Sequence, residues 1–181
     1  MNISNFCIRT SILVLLIGFM SNSNVYAQEE TSTHHEEKHL IALTFGYSYI
    51  PKGSEEDQTE TTGVFVPSIG LDYMYRIHQR WEIGLMADVE LGNYVIRQTE
   101  LNRENAFIIA AVGLYKISNG WSVFGGVGIE LEKHKNLAIL RLGTDYSFGL
   151  GKGWIVAPGI TYDLKEGYDS WSISVAIGKG F

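Results

Sequence analysis

Residues 121–131 read "WSVFGGVGIEL". Trp121, Val123, Val127, Ile129 and Leu131 are bulky and apolar; Ser122, Phe124, Gly126, Gly128 and Glu130 alternate with them. Successive side chains of a strand point to opposite sides, so this stretch predicts a strand with one greasy face and one mostly small or polar face. The contrast recurs at 81–92, where Trp81, Ile83, Leu85, Ala87, Val89 and Leu91 oppose Glu82, Gly84, Met86, Asp88, Glu90 and Gly92. It recurs again at 137–148, where Ala138, Leu140, Leu142, Tyr146 and Phe148 oppose Arg141, Gly143, Asp145 and Ser147. Which face lies inside decides the fold.

Outward from these runs, the chain parses into eight predicted strands at 40–50, 63–77, 81–95, 105–117, 121–132, 137–148, 154–164 and 170–181. Their connections alternate between longer charged segments ("PKGSEEDQTETT", "RQTELNRE", "EKHKN", "KEGYD") and tight joints ("HQR", "SNG", "GLGKG"), two of them with Gly for turn geometry. "GLDYMYRIHQRW", "GLYKISNGW" and "GTDYSFGLGKGW" each run from Gly through Tyr, across a turn, to a Trp opening the next strand, which reads as one hairpin unit repeated. Strands of about 10–14 residues, tilted near 40°, span roughly 25–35 Å, the thickness of bilayer hydrocarbon and about twice the usual soluble strand.

Volume assigns the faces. An eight-stranded barrel is only just wide enough for side chains to fill it. Eight rows of Leu, Ile, Val and Trp would overfill such a lumen; a face of Gly and Ser with a few charges fits. The bulky face therefore points outward, and a continuous apolar exterior needs lipid rather than water. Closed barrels and helices alone satisfy every backbone group there, and no later segment has an apolar run long enough for a helix. The expected fold class is all-β: an eight-stranded antiparallel up-and-down transmembrane β-barrel. Aromatic residues support two membrane interfaces. Tyr75, Trp81, Tyr115, Trp121, Tyr146, Phe148 and Trp154 cluster by the short turns, and Tyr49, Tyr162 and Trp171 by the long loops.

The rest of the 181 residues agrees with export. Residues 1–27 hold an early base (Arg9), an apolar run from Ile12 to Met20 and small residues before a cut after Ala27, the pattern of a secretory signal peptide. A membrane-anchoring helix needs about 20 apolar residues, more than this core supplies. Residues 28–38 then form a polar periplasmic lead-in and 39–181 the barrel. Cleavage would remove Cys7, the one cysteine, and with it disulfide or thiol chemistry; 20 acidic against 14 basic side chains leave no basic stripe for nucleic acid. Three short turns belong on the periplasmic side and four longer loops outside, with an even strand count and both termini periplasmic.

Taken together, the "NGW" and "GKGW" turns, the Gly-rich inward face and the final strand "SWSISVAIGKGF" resemble the small OmpX/OmpA-like outer-membrane barrels, the outer membrane protein beta-barrel domain family. The resemblance covers residues 39–181 and implies a Gram-negative outer-membrane location. It also implies that Ile173, Val175, Ile177 and Phe181, alternating along the last strand, form the signal read by the barrel-assembly machinery. Edge-strand pairing is a physical means of reading it. Lys179, on the apolar face, departs from the family's preference and can snorkel to headgroups. The strand pattern runs to Phe181, so the peptidoglycan-binding domain of larger relatives is not expected. Pro67 and Pro158 cannot donate to a ladder and predict a bulge or break. "NAFIIAAVGLYKI" is apolar on both faces and leaves its register open.

Four features bear on chemistry. Asp72, Arg76, Glu82, Asp88, Glu90, Glu130, Arg141, Asp145 and Asp163 face the lumen and must be paired or hydrated there; they read as a polar network fixing the barrel, or as a narrow ion or water path. Arg141 is pivotal because carboxylates outnumber bases. "THHEEKH" (His34, His35, His39) lacks tetrahedral metal spacing and reads as a solvated tail. His134 and Ser170 in outer loops would suit a lipid A-modifying enzyme, but the His-x-Ser spacing of the deacylases is absent. The acids of "KGSEEDQTETT" could attract divalent cations bridging lipopolysaccharide, or form a solvated loop. The expectation is a monomeric structural or surface-interaction barrel with no catalytic residue, metal or cofactor. Its partners would be outer-membrane lipid, lipopolysaccharide and, during insertion, the assembly machinery.

Overall fold

The computed structural model describes residues 37–51, 53–54, 63–96, 101–133 and 135–181. The predicted signal peptide, His34, His35, His134 and the acids of 55–62 lie outside the described residues. Twelve strands occur among the described residues: β1 His39–Ile50, β2 Gly53–Ser54, β3 Val64–His78, β4 Trp81–Glu90, β5 Asn93–Ile96, β6 Leu101–Glu104, β7 Phe107–Lys116, β8 Trp121–Leu131, β9 Leu137–Tyr146, β10 Phe148–Gly151, β11 Trp154–Lys165 and β12 Tyr168–Gly180.

Eight of them, β1, β3, β4, β7, β8, β9, β11 and β12, pair antiparallel with their neighbours, and β12 returns to β1 to close the ring. That seam runs from Leu40↔Gly180 to Tyr49↔Trp171. Beyond it the backbone N–H groups of Lys38 and His39 donate to the carbonyl of Phe181 at 3.1 and 3.0 Å, and the Phe181 N–H donates back to His39 at 2.9 Å. Closure leaves no open sheet edge, the condition for a sheet in hydrocarbon.

The exterior is the greasy face. Trp121 is 48 % exposed, Val127 65 % and Ile173 69 %, whereas Glu130 is 0 % and Arg141 5 % exposed. An apolar shell around a charged interior is stable in lipid and not in water, so the barrel is a transmembrane one. Aromatic pairs sit across adjacent strands at both ends. Trp81–Tyr115 (centroids 4.8 Å apart) and Trp121–Tyr146 (6.0 Å) lie near the short turns; Tyr162–Trp171 (4.6 Å) and Tyr49–Phe65 (4.7 Å) lie near the long loops.

Three departures from the sequence reading have physical causes. The strand expected at 81–95 breaks in two, β4 and β5, while the one expected at 105–117 runs as β7 with a further strand, β6, ahead of it. β5 and β6 leave the barrel wall and join β2 in a separate three-stranded sheet. The ribbon stays hydrogen-bonded through the break, with Glu90 N–H on Ala106 O at 2.9 Å and Asn105 N–H on Gly92 O at 3.0 Å. Asn105 makes the turn-out with φ of 48°, a left-handed conformation its short polar side chain tolerates. Part of the expected loop "RQTELNRE" is therefore the strand β6.

The prolines act differently from each other. The β1 register runs unbroken through Tyr47↔Pro67, while pairing of β3 with β4 stops at Ser68↔Glu90. Pro67 O accepts from Leu91 N at 2.7 Å, so the missing Pro67 N–H falls where β4 is leaving the wall. At Pro158 the β12 register is again continuous, but the other side is interrupted between Phe148↔Val156 and Asp145↔Gly159. The register shifts lie elsewhere, at Arg76/His78 and Gly149/Gly151, beside short turns.

The lumen is also less uniformly polar than a Gly/Ser reading predicts. β7 turns Ile108, Ala110, Val112 and Leu114 inward, where they pack with Met74, Phe124 and Ile139. Phe124 fits because Gly143 lies opposite it, where a Cβ would run into the ring. This apolar wall is why "NAFIIAAVGLYKI" carries hydrophobes on both faces.

Candidate functional site

The strand period places every second residue of eight strands in one narrow lumen, and their charges sort into three levels. At the short-turn end, Arg76 Nε contacts Glu82 Oε1 at 3.1 Å and Lys116 Nζ bonds to the same carboxylate oxygen, so two cations share one anion. At mid-barrel, Arg141 donates Nε and Nη2 to the two oxygens of Asp163, both at 2.8 Å, and Nη1 to Asp88. This fork geometry ties β9, β11 and β4 together across the lumen. Thr44 donates to Asp72 at 2.6 Å, and Asp145 lies opposite Ser122 across β8 and β9.

The third level, at the long-loop end, is fully buried. Lys165 Nζ lies 2.8 Å from Glu130 and 3.4 Å from Glu90. Tyr168 donates to Glu130 at 2.7 Å and Tyr94 to Glu90 at 2.6 Å, with the two hydroxyls 3.2 Å apart. Burial, then the Glu90 charge, hold the Tyr94 hydroxyl well above its ordinary pKa, so it stays a donor. Arg103 reaches in from β6: its Nε is 3.0 Å from Glu130, Nη1 3.3 Å from Glu132, and Nη1 donates to Lys135 O at 2.6 Å. The Nε contact is too poorly aligned for a hydrogen bond, and Nη2 has no acceptor among the described residues. Ile50, Val66, Ile96 and Leu137 pack around the tyrosines.

Thus the nine lumen charges singled out from the sequence do not form one network. Arg76 and Glu82 occupy the first level; Asp88, Arg141 and Asp163 the second; Glu90 and Glu130 the third. Asp72 has the Thr44 hydroxyl as partner, and Asp145 lies opposite Ser122. Sequence reasoning missed Lys116, Lys165, Arg103, Tyr94 and Tyr168. Lys165 was legible from parity, being two residues beyond Asp163 on the same face; Arg103 was not, because its stretch reads as loop. Ser170 is not on a loop but buried in β12, opposite Asp163. His39 stacks on Phe181 with centroids 5.4 Å apart and bonds the Tyr73 hydroxyl at 2.8 Å.

On the outer wall, Tyr75 lies 5.2 Å from His39, Phe148 4.7 Å from Tyr146, and Trp154 beneath Lys179, whose Nζ donates to Lys152 O at 2.6 Å. Ile173, Val175, Ile177 and Phe181 all face outward. Among the described residues the lumen holds a cavity of about 590 Å³ open at the short-turn end and one of about 70 Å³ beside Arg141. Between them and the long-loop end stands the Lys165–Glu130–Arg103 level.

A closed ring of eight antiparallel strands, apolar outside and ion-paired inside, defines a small eight-stranded barrel of the outer-membrane kind. Among solved structures, Neisserial surface protein A matches with a TM-score of 0.56 at 10 % identity, over 79 % of this chain and 97 % of that one. The N-terminal β-barrel domain of Pseudomonas aeruginosa OprF matches with a TM-score of 0.56 at 9 % identity, over 80 % of this chain and 98 % of that one. At these identities the likeness is one of fold. No family model and no curated protein matches the sequence.

Proposed function

We propose that this chain is an integral outer-membrane barrel with a structural or surface-interaction role and no enzymatic activity. On this reading both termini are periplasmic and the longer loops and the β2–β5–β6 sheet face outward, in contact with lipopolysaccharide. The outward face of β12, ending at Phe181, engages the assembly machinery during insertion. The observation that carries the reading is the buried Lys165–Glu130–Arg103 level beside the apolar cluster of Ile50, Val66, Ile96 and Leu137. A buried, ion-paired stopper suits a barrel that presents loops better than one that passes solutes.

The test is fractionation followed by electrophoresis of unboiled and boiled samples, then planar-bilayer recording. A heat-modifiable outer-membrane band without conductance steps supports the proposal; a soluble protein with one mobility overturns it. A narrow conduit is the second reading, favoured by the two cavities lying in line along the lumen. It predicts conductance that changes in Arg141→Ala. An altered lipid A mass spectrum on overproduction would count against both.

A further inference from the structure

The short-turn cavity has features that the surface role leaves unused. We infer that it is a binding site for a short zwitterionic peptide with an apolar side chain. This goes beyond the proposed role and rests only on the closed barrel.

Volume comes first. About 590 Å³ is the size of a pocket for a small organic ligand, and a single amino acid would leave most of it to water. Charge balance comes next. Lys38, Arg76, Arg80 and Lys116 line the cavity, and so do Glu37, Asp72, Glu82 and Asp145. Four cations against four carboxylates give a simple ion no net attraction.

The charges are nevertheless not all cancelled locally. Arg76 and Lys116 share Glu82, leaving one positive charge in excess there. Asp72 has a neutral partner, the Thr44 hydroxyl, and takes part in no ion pair among the described residues. The cavity thus offers one place for a carboxylate and another for an ammonium. Their separation sets the ligand's length. Asp72 and Arg76 project from the same face of β3, four residues apart, and both line the cavity. At about 3.3 Å per residue their backbones are about 13 Å apart, a span for a di- or tripeptide rather than a free amino acid. Met74, Met86 and Leu114 line the same space and supply an apolar bed of adaptable shape.

The folded full-length barrel in detergent micelles, titrated with the dipeptide Leu-Leu in a calorimeter, tests this. Saturable one-to-one binding is expected. N-acetyl-Leu-Leu lacks the ammonium and Leu-Leu amide the carboxylate; each should bind at least tenfold more weakly. Met86→Trp fills the cavity and should abolish binding while keeping the heat-modifiable mobility. Ala157→Phe narrows it from another wall and serves if the first variant does not fold. Absence of saturation, equal binding of the blocked peptides, or full binding by the filled variants would overturn the inference. Conductance is read separately, so failure here and failure of the proposed function remain distinguishable.

Discussion

Arg141 is the side chain on which the middle of the barrel depends. It makes a bidentate bond to Asp163 and a single one to Asp88, all three groups buried or nearly so. Removing it strands two carboxylates where water is scarce, which costs more than the pair itself is worth. Arg141→Ala should destabilise the folded barrel by about 3–5 kcal/mol in urea titrations followed by unboiled electrophoresis. Arg141→Lys should recover part of that, since an ammonium keeps the charge and loses the fork. Tyr94→Phe is a milder change: Glu90 loses its 2.6 Å donor and keeps Lys165, so a loss of about 1–3 kcal/mol is expected by the same measurement. Parity arguments located Arg141, Asp88 and Asp163 from sequence because an alternating strand leaves no choice of face. They could not pair them, since strand tilt decides which levels of β4, β9 and β11 meet. Pairing is a property of the closed ring.

At the scale of the element, the β7–β8 ladder is set by close approach. A Cβ on Gly126 or Gly128 would meet the backbone of Ala111 or Ile109 on β7. Gly128→Val should block this approach, and the variant should accumulate as unfolded, heat-insensitive material. The β4–β7 hairpin shows where sequence reading stops. Its barrel half was legible from alternation at 81–91. Its outer half, carrying Tyr94 and Arg103, belongs to a second sheet, and alternation continues across such a break without a mark. The break is written in Gly92 and Asn105, small or turn-tolerant residues whose joint meaning appears only when the two strands are opposed.

For the whole molecule, the governing quantity is which side of the wall faces hydrocarbon. Leu140 on the exterior of β9 is 42 % exposed and its neighbour Arg141 is interior. Leu140→Arg should cost about 2–4 kcal/mol if the residue lies near the bilayer midplane, falling towards 0–1 kcal/mol nearer an interface. Unfolding from lipid vesicles measures it, and an unchanged midpoint would contradict the orientation. The volume argument made this orientation readable before any coordinates, because a narrow cylinder admits one packing of a large and a small face. It did not foresee the apolar wall of β7, where Ala110 and the small residues opposite leave room for Leu114 and Phe124.

The seam between β1 and β12 joins residue 40 to residue 180. Every other wall contact links strands adjacent along the barrel's course, but the ring has no partial version that hides all its peptide groups from hydrocarbon. Synthesis must therefore run ahead of insertion, and a nascent chain lacking its final strand is an orphan with two raw flanks. Such a chain exposes unpaired strand edges that invite aggregation, so the barrel is protected only once the last hairpin docks.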